Sequence, residues 1–213
     1  MKCLDLFCGA GGAAKGLNEA GFDIVGIDID NQPEFPFEFI QCDVFNLTTE
    51  FLQEYDLIWA SPPCQGFIPG TIHARNKGKI YPNLIPHTRQ LLKNSWMPFV
   101  IENVQCSPVR KDLMLCGQMF DLKILRHRFF EIEGFHVPRI KHFKHKLNVQ
   151  EGTAIGVYTG MADPRKVSSK TGHLNEDIET WQKALEVNWV KNRKNLAQCI
   201  PPKYSKYIGS YFN

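Results

Sequence analysis

Three features of this 213-residue chain have the residue types and spacing for covalent chemistry: a cysteine on a proline-stiffened turn, a glutamate at a strand end and a pair of arginines. Ser61-Pro62-Pro63-Cys64-Gln65-Gly66-Phe67 follows the apolar run from Tyr55 to Ala60. Two prolines restrict the turn, and a cysteine on a stiff, partly exposed loop is a candidate thiolate nucleophile. The plain alternative is a small buried hydrophobe. Glu102-Asn103-Val104 ends another apolar run, which brings a carboxyl to the same edge of a sheet. Arg126 and Arg128 share a face if their segment is a strand; otherwise they read as a surface ion pair.

A second group reads as a cofactor site. Gly9-Ala10-Gly11-Gly12 lets the backbone approach a ligand at a helix N-terminus, as a nucleotide-type cofactor requires. Asp28 closes the next strand at about the 20-residue spacing expected of an acid that binds ribose hydroxyls. Asp43 closes a third strand. Turn glycines with a capping acid are the structural alternative.

The elements that must position these residues alternate in type. Cys3 to Phe7 reads as a strand, Ala13 to Ala20 as a helix stopped by Gly21, and Phe22 to Ile29 as a second strand, together a βαβ unit. Further strands are expected near Phe37 to Cys42, Tyr55 to Ala60 and Phe99 to Glu102, with a helix from about Ile85 to Ser95. That order predicts an α/β fold with a doubly wound, mostly parallel sheet and helices on both faces. Ile124 to Ile132 reads as a strand element carrying the arginines, and Glu151 to Leu174, rich in Gly, Ser, Thr and Lys, as a loop or irregular subdomain. Helical patterns return from Glu176 to Trp189, Arg193 to Ile200 and Tyr204 to Tyr211.

Composition bounds the class. The chain is 43% hydrophobic and 22% charged, ordinary for a globular protein of one domain with a small appendage. No run approaches the roughly 18 to 20 apolar residues of a membrane span. The N-terminus carries Asp5 and glycines where a signal peptide needs an apolar stretch, so a soluble, cytoplasmic protein is expected. Seven cysteines without C-x-x-C spacing fit neither a disulfide framework nor a zinc site, so reduced thiols and no metal are expected. The net charge of +3 conceals a division: residues 1–122 carry −5, 123–146 carry +5 and 147–213 carry +3. A basic segment beside an acidic domain suits either a polyanion partner or a solvated surface.

Four blocks in order, Asp5-Leu6-Phe7-Cys8-Gly9-Ala10-Gly11-Gly12, Ser61-Pro62-Pro63-Cys64-Gln65, Glu102-Asn103-Val104 and Arg126-His127-Arg128, resemble those of the cytosine-5 DNA methyltransferase family. The resemblance runs through residues 1–131 and returns at 196–209, where Ala197-Gln198-Cys199-Ile200-Pro201-Pro202 is similar to the family's closing block. It looks closest to compact phage and prophage methylases, some of which serve restriction-modification.

The resemblance implies a class I S-adenosylmethionine-dependent methyltransferase fold, Rossmann-like, with a small irregular recognition region. The catalytic core would be 1–131, a reduced target-recognition region 132–190, and 191–213 a return to the core. It implies methyl transfer from S-adenosylmethionine, released as S-adenosylhomocysteine, to carbon 5 of cytosine in DNA through a cysteine adduct at carbon 6. Catalytic roles fall on Cys64, Glu102, Arg126 and Arg128, and cofactor contacts on Phe7, Gly9, Gly11, Asp28, Ile29, Asp43, Pro62 and Gln198. The expected partner is duplex DNA with the target base flipped out, met by a monomer without metal or membrane. The same chemistry on RNA, single-stranded DNA or a free nucleotide, or an inert DNA-binding homologue, are the alternatives. The chain departs from the pattern at Ile124, where the family has Gln, and at Ala197-Gln198, where it has Gly-Asn. Only residues 132–195 separate the arginine and closing blocks, against a whole recognition domain in full-size members. There the basic, aromatic run Phe135 to Lys146 is either a reduced recognition element or an edge strand with a solvated loop. Between the cysteine and this region, the loop Phe67 to Tyr81, with Arg75, Lys77 and Lys79, either grips phosphate or is a plain mobile loop.

Overall fold

The computed structural model describes residues 1–68, 71–149, 151–157 and 177–212. The first strands are short and apolar on both faces because helices cover both sides of the sheet, so alternate residues serve two cores rather than core and solvent. In β1 (Lys2–Leu6), Leu4 and Leu6 join one core and Cys3 the other. The chain continues through α1 (Gly12–Glu19), β2 (Asp23–Asp28), β3 (Glu38–Gln41), α2 (Thr49–Leu52), β4 (Leu57–Ala60), α3 (Ile72–Asn76), α4 (Ile85–Ser95) and β5 (Phe99–Asn103). Then come β6 (Leu113–Leu115), β7 (Arg128–Glu133), α5 (Ile178–Leu185), α6 (Arg193–Gln198) and α7 (Pro202–Gly209).

These seven strands form one sheet in the order β3-β2-β1-β4-β5-β7-β6. The pairs among β1 to β5 are parallel, while β7 lies antiparallel between β5 and β6. A parallel array whose order reverses beside its first strand leaves a crevice at the carboxyl ends of β1 and β4, and that edge is where ligands bind. The doubly wound, mostly parallel α/β sheet expected from the sequence is therefore present.

Several boundaries differ from the expected ones, for identifiable reasons. The arginine-bearing strand begins only at Arg128, so Arg126 is not on it. Upstream, Tyr204 donates its hydroxyl to the Arg126 carbonyl (2.6 Å), and the Ile124 carbonyl packs against the flat face of Gly117, so this backbone is engaged by its neighbours rather than by a ladder. Strand β7 then runs to Glu133, past the expected domain boundary at 131. The helical pattern read to Trp189 stops at Leu185 because Glu186 turns left-handed (φ 59°). Strand β6 had no counterpart in the sequence reading. Most of the expected loop from Glu151 to Leu174 lies outside the described residues. The 178–190 stretch, assigned from sequence to the recognition region, contributes Trp181, Leu185, Val187 and Val190 to the main core.

Helix α7 closes the fold by packing on α1 at unusually close range. A Cβ on Gly16 would lie 1.9 Å from the Pro202 carbonyl oxygen, and Ser205 bridges the two helices by donating to the Ala13 carbonyl (2.7 Å). The α1–α7 contact thus requires glycine at 16. Gly16→Ala should cost about 2 kcal/mol or more through overpacking. In a chain this size that reads as a fall in Tm of roughly 4–8 °C; an unchanged melting curve would refute the close-packed contact.

Candidate active site

The site begins where β1 ends. Phe7, immediately after the strand, has φ 57°, a left-handed conformation that a bulky residue adopts only when its surroundings enforce it. The enforcing groups are polar: the Cys8 amide donates to the Ile27 carbonyl (3.1 Å) and the Gly9 amide to Asp28 Oδ2 (3.0 Å). Trp189 holds the far side by donating Nε1 to the Ala10 carbonyl (2.9 Å). Gly11 (φ 83°) caps α1, where a Cβ would strike Pro36 at 2.7 Å.

Above this turn lies a cavity of about 1060 Å³. Its wall brings together Phe7, Gly9, Asp28, Ile29, Asp43 and Pro62 from the first half of the chain. Gln198 from the end of α6 faces the same space, as do Cys64, Glu102, Arg126 and Arg128. Of the residues singled out from sequence, Gly11 alone is absent from the wall, and its part is to shape the turn. Asp28 uses each oxygen to accept one backbone amide, from Gly9 and Asp30, leaving further lone pairs for a ligand hydroxyl. Asp43 caps the short turn Val44–Asn46 by accepting from Phe45.

The reactive end is built by the Cys64 turn, the end of β5 and the start of β7 with the residues just before it. Asn103 donates to the Pro62 carbonyl (2.8 Å), which fastens the Cys64 turn to β5. Arg128 Nε pairs with Glu102 Oε1 at 2.8 Å, both side chains being largely buried. Arg126 donates to the Ala197 and Val157 carbonyls, and its buried Nε has no partner among the described residues. Burial, with Arg128 alongside, pushes the Arg126 guanidinium down to about 10.

Burial raises the Glu102 pKa, although Arg128, Arg126 and the Ser61 hydroxyl all favour its ionised form. Burial also raises the Cys64 thiol, with Glu102 reinforcing the shift and the two arginines opposing it. The resting side chain is thus a thiol held beside two cations, rather than a standing thiolate. Arg75 on α3 folds back to donate to the Gly66 and Ile68 carbonyls, bracing the Cys64 loop.

Sequence reasoning passed over Asp5 as a site residue. Its side chain is 1% exposed on the cavity wall, and among the described residues neither oxygen has a partner at hydrogen-bond geometry. Burial raises its pKa well above the usual carboxylate range, Asp28 adds to the shift, and the Ala14 amide opposes it. The available signal was a lone acid in the middle of an apolar strand, Cys3-Leu4-Asp5-Leu6-Phe7.

Residues 1–106 match the profile of the C-5 cytosine-specific DNA methylases. Over 229 aligned positions the chain is 24% identical to the Type II methyltransferase M.XorII of Xanthomonas oryzae pv. oryzae. The alignment takes in 96% of this chain but 52% of that protein, so the chain spans about half the length of the curated relative it matches. In fold it is similar to the S. pombe Dnmt2 methyltransferase, with TM-score 0.62 and 14% identity over 99% of this chain and 97% of the other. It is similar also to the Entamoeba histolytica methyltransferase EhMeth, with TM-score 0.65 and 12% identity over 100% and 97%.

Two outcomes check the electrostatics. A carboxyl that binds its proton more tightly folded than unfolded contributes stability below the unfolded pKa, about 4, that is lost as pH rises through the folded value. Asp5→Asn should therefore raise Tm at pH 7, with the gain shrinking toward pH 4, and scanning fluorimetry across that range reads it. For Cys64, alkylation by iodoacetamide followed by mass spectrometry should keep rising beyond the ordinary thiol range of about pH 8.5. Arg128→Ala should slow it further at fixed pH, whereas a Cys64 already saturating at neutral pH would contradict the raised thiol.

With the glycine turn, the Cys64 loop and Glu102 gathered on one cavity, residues 1–106 of the chain belong to the C-5 cytosine-specific DNA methylase family.

Proposed function

We propose that this chain transfers a methyl group from S-adenosylmethionine to carbon 5 of cytosine in DNA. The observation that carries the reading is the convergence of Cys64, Glu102 and Arg128 on a single cavity that also receives the glycine turn and Asp28. Its volume stands at the upper end of the roughly 300–1,000 Å³ typical of small-ligand sites, which suits a nucleoside-sized cofactor together with a base.

The residues present fit that cofactor. Asp28 retains acceptor capacity for ribose hydroxyls, Asp43 and Ile29 offer a polar and an apolar contact for adenine, and Phe7 presents a ring. Gly9 leaves the backbone open, with nothing within 4 Å of where a Cβ would stand. When bound, S-adenosylmethionine supplies an electrophilic sulfonium methyl.

Carbon 5 of cytosine is a poor nucleophile, and the chain's residues are suited to change that. Cys64 Sγ, giving its proton to solvent water as the base enters beside Arg126 and Arg128, adds to carbon 6. The ring π pair moves toward N3, where Glu102, kept protonatable by burial, donates a proton. The resulting enamine is nucleophilic at carbon 5. After methylation, loss of the carbon 5 proton to water expels Sγ as thiolate, and N3 returns its proton to Glu102, which restores the aromatic ring. Arg128 holds Glu102 in place and Asn103 holds the cysteine loop. In a duplex the target base must leave the stack, at a cost of a few kcal/mol, and the cations of the basic run 135–146 would take phosphates. The protein would act as a monomer. Among the described residues no helix is long and apolar enough to cross a membrane.

The test is transfer of labelled methyl to duplex DNA, single-stranded DNA, RNA and free deoxycytidine nucleotides in parallel. Label on cytosine in duplex DNA is expected, and Cys64→Ser should lower the rate by at least about 10³-fold while cofactor binding persists. Duplexes carrying 5-fluorocytosine should trap Cys64 covalently, because fluorine cannot leave as the carbon 5 proton does. Transfer only to RNA or nucleotide would reassign the substrate. Full activity in Cys64→Ser would end the covalent mechanism, and no transfer to any substrate would leave an inert binding module.

A further inference from the structure

At the Arg126-His127-Arg128 block the fold gathers four side chains to which the proposed methyl transfer gives no role, although one of them, His127, also touches the cavity wall. Cys116 follows β6, His127 immediately precedes β7, and His142 and His145 lie on the irregular segment beyond β7. Their Sγ and imidazole nitrogens all lie within 4.8 Å of one another, with Cys116 buried and the three histidines half-buried. Cys116 Sγ is 3.4 Å from His145 Nε2, His127 Nε2 is 3.3 Å from His142 Nε2, and His142 Nε2 is 3.1 Å from His145 Nε2.

Three of the six separations, at 3.1–3.4 Å, approach the edges of a coordination polyhedron, and the others are no longer than 4.8 Å. Zinc–nitrogen bonds of about 2.0–2.1 Å and a zinc–sulfur bond of about 2.3 Å at tetrahedral angles give nitrogen–nitrogen edges of about 3.3–3.4 Å and a sulfur–nitrogen edge of about 3.6 Å. Hydrogen bonding explains the same convergence poorly. A neutral imidazole nitrogen either donates one hydrogen or offers one lone pair, yet His142 Nε2 stands at contact distance from two other Nε2 atoms. The Nε2 atoms of all three rings point inward, at a common centre shared with a thiol.

We propose that Cys116, His127, His142 and His145 bind one zinc ion as a structural centre that fastens the basic segment 135–149 to the strand carrying the arginines. One thiolate and three imidazoles are a borderline-soft set that suits tetrahedral zinc rather than magnesium or calcium, which take oxygen ligands. Four protein ligands leave no open position, as in structural rather than catalytic zinc sites. The centre also answers a packing need. Residues 134–149 form no helix or strand, and few of their side chains enter the core. Their other anchors include hydrogen bonds from the Lys146 and Leu147 amides to Gln118 Oε1, from Arg139 to the Asp112 carbonyl and from Tyr207 to the Pro138 carbonyl, and the Phe135 ring against Phe212. Four metal bonds joining β6, β7 and this segment would fix the position of its cations relative to Arg126 and Arg128. The inference rests on the cluster alone and holds whether or not the methylated substrate is DNA.

The test uses the full chain without a histidine tag, expressed with zinc in the medium and dialysed against metal-free, reducing buffer. Plasma mass spectrometry should find about one zinc per chain. Titrating cobalt(II) into the stripped protein should give the strong visible bands of tetrahedral cobalt and a near-ultraviolet thiolate charge-transfer band. Cys116→Ala should lose the zinc and the charge-transfer band, and His145→Ala should lose the zinc, while His136→Ala, at an exposed neighbouring histidine, should keep the full content. Chelation of the unmutated protein reads the same centre without depending on any variant's folding, and should lower Tm in a way that added zinc reverses. Folded protein with only trace zinc and no cobalt bands would overturn the proposal. So would undiminished zinc in both ligand variants, equal loss in His136→Ala, or a Tm indifferent to chelation.

Discussion

The buried ion pair between Arg128 and Glu102 constrains everything around it. Withdrawing two charges from water costs several kcal/mol per ion, and a pair of this kind holds only when its geometry is good and its remaining polar atoms are engaged. Here the geometry follows from strand order. Antiparallel β7 enters beside β5 in a register that sets Glu102 opposite Phe130, with Arg128 on the diagonal. Arg128 also donates to the His127 carbonyl, and Ser61 supports the carboxylate. Had the seventh strand run parallel or docked outside β6, the guanidinium would not reach the carboxyl. The reversed strand is therefore the feature of the fold on which the proposed chemistry depends.

Around that pair the cavity makes charge expensive and then compensates it only in part. Asp5, Glu102 and Cys64 are all shifted toward their neutral forms by burial, and Arg126 is pushed toward losing its proton for the same reason. A neutral thiol next to a protonatable carboxyl and two guanidinium groups is poised for a substrate that accepts a proton as it accepts the sulfur. In water such a set would hold its charges at rest and have little to exchange. The last part of the chain braces this site. Trp189 pins the glycine turn, Glu34 accepts from the backbone amides of Lys191 and Asn192, and Arg126 reaches the Ala197 carbonyl.

Much of this was legible because the relevant signals are local. The β1–α1–β2 unit follows from an apolar run, glycines and a spaced acid, and α4 has the bounds that its sequence pattern implies. The cavity residues were legible for a related reason: in a parallel sheet every strand delivers its C-terminal residues to the same edge, so motifs at strand ends converge without any long-range information. What stayed hidden depends on pairing between distant segments. Strand β6 is three residues long and exists only because β7 lies beside it. Arg126 leaves the strand because partners from residues 157, 197 and 204 engage it, and no window around Arg126 contains them. The Cys116 and His127 cluster escaped because metal motifs are sought as cysteine pairs. Its one local sign, His142-x-x-His145, sat in a run that charge alone appeared to explain.

The sparse burial of residues 134–149 bears on how they are held. A segment with its own core orders itself by burying apolar surface, but these residues bury little of it. Their apolar contribution is Val137, with Phe135 and Ile140 half-buried against the main core, while Phe143 lies on the surface. Such a segment must borrow order from the scaffold through polar anchors that act one at a time. Each net hydrogen bond is worth only about 0.5–1.5 kcal/mol, against roughly 1–2 kcal/mol of backbone entropy for every residue fixed. A few such bonds cannot hold the whole segment in one conformation. The side chains of Cys116, His127, His142 and His145 stand where a stronger constraint would have to act, between the last two strands and the turn of the segment farthest from β7.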